Sequence, residues 1–157
     1  MYIQSVKLRT ANLASQRIFY AQTLGFEIVE DSLDYFTIQI GQSQLTLVQA
    51  VDDMPHLHHF AFNVPEHQFQ AALAWLEARV PILPYEGQKV IKSQPSWDAH
   101  MTYFEDADGN ILEFIARHRI PASDAPAMFG VHSIQSISEM SLVAAEIQTL
   151  TDPLMQI

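Results

Sequence analysis

The chain has 157 residues, no cysteine, and eighteen acidic against eight basic residues, a formal net charge of −10. That length suits one compact domain with a core of its own, and 48% apolar against 17% charged residues is a globular composition. The charge argues against a nucleic acid or an anionic membrane as partner, and the missing thiols exclude disulfides, cysteine zinc sites, cysteine-ligated iron–sulfur clusters and a thiol nucleophile.

Residues 1–9 alternate and are rich in β-formers, so they read as a strand. Asn12 can cap a helix that starts at Leu13 and carries Leu13, Ile18, Phe19 and Leu24, with Gly25 as the residue that ends it. Strands are expected over 26–29, 35–40 and 44–49, the last two joined by a hairpin at Gly41-Gln42. The order β-α-β-β-β then recurs. Residues 58–64 alternate as a strand, and Pro65 fits the opening of a helix over 66–79. On that helix Phe69, Ala72, Leu73 and Leu76 form one apolar stripe, which Val80 extends. Strands follow near 82–85, 90–93, 99–104 and 110–115, with a hairpin at Asp108-Gly109. Two copies offset by about fifty residues make the internal repeat the main clue to the fold.

Residues 119–157 read as a linker followed by a tail. The tail offers a strand over 136–143 and a short helix over 146–154. Lining up Leu142 with Leu8 suggests the opening of a third copy. The alternative is a tail that packs as an extra strand or helix. The start of the chain lacks the apolar run of a signal peptide, and no stretch reaches the roughly 20 apolar residues of a membrane span, so a cytoplasmic location is expected.

Strand parity selects the residues that could carry chemistry, because successive side chains point to opposite faces. In the second copy Phe60 and Phe62 belong under the helix stripe, which turns His59, Ala61 and Asn63 the other way. Leu112 and Phe114 likewise leave Glu113 on the opposite face. A carboxylate between two core residues is costly unless it meets water, a charge or a metal. His59 and Glu113 could therefore face one cavity as metal ligands, or as a base and its orienter. The alternative is an exposed acid and a surface histidine. His58 points away from His59, and His56 sits at a turn beside Pro55, so the histidine tract reads as a solvated edge.

Several segments resemble the vicinal oxygen chelate superfamily, which includes glyoxalase I, extradiol dioxygenases, fosfomycin-resistance proteins and bleomycin-binding proteins. They are Ser5-Val6-Lys7-Leu8, Phe19-Tyr20, Leu24-Gly25-Phe26, the strand 59–64 and the hairpin 103–114, in which Ala107 replaces a usual proline. The resemblance covers residues 1–118. It implies an α+β fold of two βαβββ units whose sheets curl around a cavity.

In metal-dependent members of the superfamily, ligands come from the first and last strands of each unit. Carried over, those positions are Ser5, about Thr46, His59 and Glu113, with Gln44 or Gln49 open as alternatives to Thr46. His59 and Glu113 are proper metal ligands, whereas Ser5 and Thr46 depart from the pattern. Lys7 and Arg9 share parity with Ser5 and would point into the same cavity, opposing a metal and suiting an anionic ligand. By parity Trp97, Ala99, Met101 and Tyr103 would line it, and His100 would not.

The first expectation is a small-molecule binder for an anionic or aromatic ligand, without metal catalysis or cofactor. Its ligand would meet Lys7, Arg9, His59, Asn63, Trp97, Met101, Tyr103 and Glu113. The alternative is a lyase or dioxygenase using Fe, Mn, Zn or Ni, in which the tail or a second subunit completes the ligand set. Glu139, at the Ser5 position of the suspected third copy, is then the named candidate. A third possibility is a structural pairing subunit. By resemblance a homodimer is expected, with Ile134, Ile137, Met140, Leu142 and Val143 suited to its interface.

Overall fold

The structure, a computed structural model, describes residues 3–51, 57–120 and 126–141. His56, Leu142, Val143 and the expected helix over 146–154 lie outside the described residues.

The first unit runs β1 (Ser5–Thr10), α1 (Leu13–Arg17), β2 (Ile28–Asp31), β3 (Tyr35–Ile40) and β4 (Ser43–Gln49). Its sheet has the order β1-β4-β3-β2, with β1 parallel to β4. Asn12 caps α1 by accepting from the Ser15 amide at 3.0 Å. The helix does not keep the expected period. From Ile18 to Thr23 it widens into a π-helix, whose bond from the Leu24 amide to the Phe19 carbonyl spans five residues. That extra step turns Ile18 to the surface and brings Tyr20 fully inside. Gly25 follows with φ +81°, a left-handed value that favours glycine.

The second unit runs β5 (His59–Asn63), a 3₁₀ turn (Glu66–Gln68), α2 (Phe69–Glu77), β6 (Ile82–Leu83), β7 (Ile91–Lys92), β8 (Ala99–Glu105) and β9 (Ile111–Arg117). Phe69, Ala72, Leu76 and Val80 are buried, which is the expected stripe apart from half-buried Leu73. β5 lies parallel to β9, β9 antiparallel to β8, and the short β6 and β7 both pair with β8. The two units thus repeat one strand order.

The tail adds β10 (Ser136–Met140), which pairs antiparallel with the outer edge of β5 and gives the order β10-β5-β9-β8-β6. Its register holds a bulge. Ile137 faces Phe62 and Glu139 faces Ala61, so Ser138 is an extra residue between them. In a regular strand Ile137 and Glu139 would share a face. The bulge instead lets Ile137 sit in the core, 1% exposed, while Glu139 turns to the other side.

One core joins both units: Phe36, Ile38 and Leu47 from the first and Phe60, Phe62 and Phe114 from the second belong to a single buried cluster, with Ile134 and Ile137 of the tail. Polar contacts tie the halves at the β8–β9 turn. Tyr20 donates its hydroxyl to Asp106 at 2.9 Å, and Thr10 bonds to Asp108. Asp106 also accepts from the amides of Asp108 and Asn110, which fixes the turn. Among the described residues no helix is long and apolar enough to cross a membrane.

Candidate functional site

The face of the second sheet turned away from α2 carries a cavity of about 390 Å³. His59 of β5, Glu113 of β9, Met101 and Tyr103 of β8 and Glu139 of β10 line it, with Ser93, Gln94, Ser96 and Trp97 of the β7–β8 connection. Parallel pairing sets His59 beside Ile111 and Ala61 beside Glu113, so the imidazole and the carboxylate lie on one face of adjacent strands. His59 Nε2 is 3.6 Å from Glu113 Oε2. One ligand atom each from His59, Glu113 and Glu139 lie within 4.8 Å of one another.

The groups around these three residues fix their orientation. The Ile111 carbonyl, 3.0 Å from His59 Nδ1, can only accept. A ring proton therefore sits on Nδ1, and Nε2 is the nitrogen turned toward Glu113. Arg117 Nη2 donates to Glu139 Oε2 at 2.6 Å and to Ser138 Oγ at 3.1 Å, with its guanidinium 5.2 Å above the Trp97 ring. Glu113 is 2% exposed, and its Oε1 has no hydrogen-bond partner. Burial pushes its pKa up to about 7, and the charge of Glu139 adds to this. The neighbouring Tyr103 hydroxyl and the charge of Arg117 oppose the shift. Burial and the Glu113 charge push the Tyr103 phenol up to about 12, so it stays protonated and acts as a donor.

This donor set fits a divalent ion. Two carboxylates and one imidazole neutralise a dication and leave coordination positions open. An orphaned carboxylate oxygen in a buried site is where an ion would offset an otherwise uncompensated cost.

His59, Trp97, Met101, Tyr103 and Glu113 come together as parity suggests, though Trp97 does so from a loop. Lys7 and Arg9 do not line this cavity. They lie on the exposed face of β1, in the other sheet, with Ser5 beside them. The physical reason is the edge of β5, which β10 occupies, leaving β1 as the outermost strand of its own sheet. Thr46 pairs with Lys7 and bonds to Thr37 at 2.9 Å, and Gln44 and Gln49 bond within the first unit. Asn63 donates to Ser136 Oγ at 3.0 Å, where β5 and β10 first pair, and does not line the cavity. Arg117 went unnoticed, although it lies four residues after Glu113 on the same strand and so shares its parity. Gln94 and Ser96 lie in a loop with no periodic signal, and Ser93, at the end of the strand expected over 90–93, falls just past β7.

A second, mostly apolar hollow of about 380 Å³ adjoins the first. Leu83, Pro84, Tyr85 and Ile111 line it, and His59 and Tyr103 stand between the two.

Residues 2–114 match the sequence profile of the Glyoxalase/Bleomycin resistance protein/Dioxygenase superfamily. The chain belongs to this superfamily. No curated protein matches it. Among solved structures similar to this superfamily member is an integron cassette protein from the mobile metagenome of the Halifax Harbour sewage outfall. It is 24% identical with a TM-score of 0.60, over 73% of this chain and 97% of that one. A glyoxalase/bleomycin resistance protein/dioxygenase from Nocardioides is 19% identical with a TM-score of 0.58, over 83% and 90%. A lactoylglutathione lyase from Agrobacterium tumefaciens is 18% identical with a TM-score of 0.56, over 73% and 92%. At these identities the likeness is one of fold. Members of the superfamily often use divalent metals, and His59, Glu113 and Glu139 form a possible site for one.

Proposed function

We propose that the protein is a divalent-metal-dependent lyase or ring-cleaving enzyme. It would hold an oxygen-preferring ion such as Mn²⁺ or Fe²⁺ on His59, Glu113 and Glu139. Its substrate would be a small molecule with two adjacent oxygens on an aromatic or apolar body. The observation that carries this reading is the convergence of three donors from three strands within 4.8 Å. An ion there would supply Lewis acidity to the paired oxygens of a bound molecule.

The chain's own residues do the rest. The Ile111 carbonyl holds His59 Nδ1, so Nε2 is the nitrogen presented to an ion. Arg117 and Ser138 steady the part of β10 that carries Glu139. Tyr103 donates to Met101 Sδ at 3.9 Å and, with Trp97 and Met101, walls the cavity for an apolar body. The neighbouring hollow at Leu83, Pro84 and Tyr85 has room for a longer substituent.

Mn²⁺ titration followed by the EPR signal of the free ion tests this reading. One equivalent is expected for the untagged protein, with loss of that equivalent in Glu113→Gln and in Glu139→Gln. Unchanged uptake in both variants would overturn it.

One observation favours a second reading, in which the cavity binds an aromatic or anionic molecule without metal. Arg117 already neutralises Glu139 at 2.6 Å. On that reading Mn²⁺ uptake is absent from the outset, and Trp97 fluorescence responds to aromatic carboxylates in the presence of EDTA. A homodimer is part of the main proposal, supported by the position of β1 at the edge of its sheet. Sedimentation at equilibrium measures it.

A further inference from the structure

The opposite face of the second sheet carries a cluster that the cavity does not use. Three segments meet there: the start of β8, the residue after β9 and the 3₁₀ turn before α2. His118 Nδ1 lies 2.8 Å from Glu66 Oε1, and His118 Nε2 lies 2.8 Å from His100 Nδ1. The two imidazoles are nearly perpendicular, with centroids 4.7 Å apart. His100 is steadied by stacking on Phe69, at 5.6 Å and 30°.

Glu66 settles the proton positions. A carboxylate facing His118 Nδ1 holds the proton on that nitrogen, so His118 Nε2 carries a lone pair and His100 Nδ1–H donates to it. This is the carboxylate–histidine pairing that orients an imidazole for a metal and raises its basicity. The separation also fits. Metal–imidazole bonds of about 2.0–2.1 Å place two nitrogens in adjacent positions of an octahedral or tetragonal ion about 2.8–3.0 Å apart.

We propose that His100 Nδ1 and His118 Nε2 form a second metal site, on the outer face of the protein. It would take an imidazole-preferring dication of the zinc, nickel or copper type, with Glu66 as the residue that positions His118. Binding requires His100 to move its proton from Nδ1 to Nε2, an exchange through solvent that leaves the ring neutral. Burial, His118 and Lys92 lower the His100 pKa, against the opposing charges of Glu66 and Asp98. Water completes the ion's shell. Asp98, whose charge reaches His100, is engaged by Arg119 at 3.4 Å.

Zn²⁺ titration of the untagged protein by calorimetry tests this. The expected result is that His118→Ala and His100→Phe each bind one equivalent fewer than the parent. Glu66→Gln should weaken that equivalent by about tenfold or more. His100→Phe keeps an aromatic ring against Phe69, so loss of the ion there cannot be put down to loss of packing. Cu²⁺ adds an independent sign: the outer site should give an EPR pattern with two nitrogen couplings, absent from His118→Ala. Equal Zn²⁺ stoichiometry in the parent and both histidine variants overturns the proposal. The Mn²⁺ titration reports on the inner cavity separately, so failure of either site is read without the other.

Discussion

Replacing Glu113 by Gln should stabilise the metal-free protein, and by an amount that grows with pH. Glu113 is buried and its folded pKa rises from 4.5 to about 7. The folded state therefore keeps this proton over a range where the unfolded chain has lost it. Stability contributed by the protonated acid is complete below pH 4.5 and is lost as pH rises through 7. At about 1.4 kcal/mol per pH unit, the full difference is about 3 kcal/mol. Gln at 113 does not titrate. Urea unfolding in EDTA should then place Glu113→Gln about 1 kcal/mol above the parent at pH 5 and about 3 kcal/mol above it at pH 8.5. The other acids titrate in both proteins and cancel in the difference. A gap that stays constant, or narrows toward alkaline pH, would refute the assignment of a buried, ionisable acid at this position. Saturating Mn²⁺ should raise the parent at pH 8.5 and leave Glu113→Gln where it was, because an ion that binds only the folded state stabilises it by mass action.

Deleting Ser138 should leave Mn²⁺ binding within about tenfold, because the extra residue of the bulge is lost while Glu139 stays opposite Ala61. Abolished binding would contradict that register. Gly41→Ala should destabilise the protein by about 1–3 kcal/mol, since a Cβ there would lie 2.0 Å from the Gln135 carbonyl oxygen and φ is +53°. Hydrogen exchange should show the amides of β10 losing protection before those of β3. Arg117→Gln should weaken Mn²⁺ by about tenfold, through a less firmly held Glu139, and the EPR titration measures it.

Much of the architecture was legible because period and parity are local. Alternation placed β3, β4, β5, β8 and β9 within a residue or two, and the stripe from Phe69 to Val80 placed α2. Parity then set His59 and Glu113 on one face, since Phe60, Phe62, Leu112 and Phe114 had to face the helix. What parity does not give is which sheet a face will meet. Lys7 and Arg9 have the face expected of them, but the edge that would have brought β1 beside β5 is taken by β10. The π-helix at Ile18–Thr23 left no sequence signal, because one extra residue per turn is decided by how Tyr20 reaches Asp106 and not by propensity. Trp97 reached the cavity by another route: turn bonds from the amides of Trp97 and Asp98 to the Gln94 carbonyl hold the loop beside β8.

Glu139 shows how a functional side chain can inherit its position from the core. Its strand is anchored on the first unit. The Gln42 amide donates to the Gln135 carbonyl at 2.8 Å, and the Ile137 amide donates to Ser43 Oγ at 3.0 Å. Ile134 and Ile137 then sink into the cluster shared by both halves. Only after these anchors does the bulge turn the chain so that Glu139 faces His59 and Glu113. Beyond it the strand runs through half-buried Met140 to exposed Ser141, whose amide still donates to the His59 carbonyl at 2.9 Å. The carboxylate therefore sits one short step past a rigid attachment, close enough to be held by it. A strand that merely covered the edge of β5 would need the same backbone bonds. It would not need an acid held by Arg117 beside a second, buried acid. Like charges so placed raise the free energy of the empty site; Arg117 on Glu139 and a proton on Glu113 relieve it, and on the proposed reading a dication takes over that part.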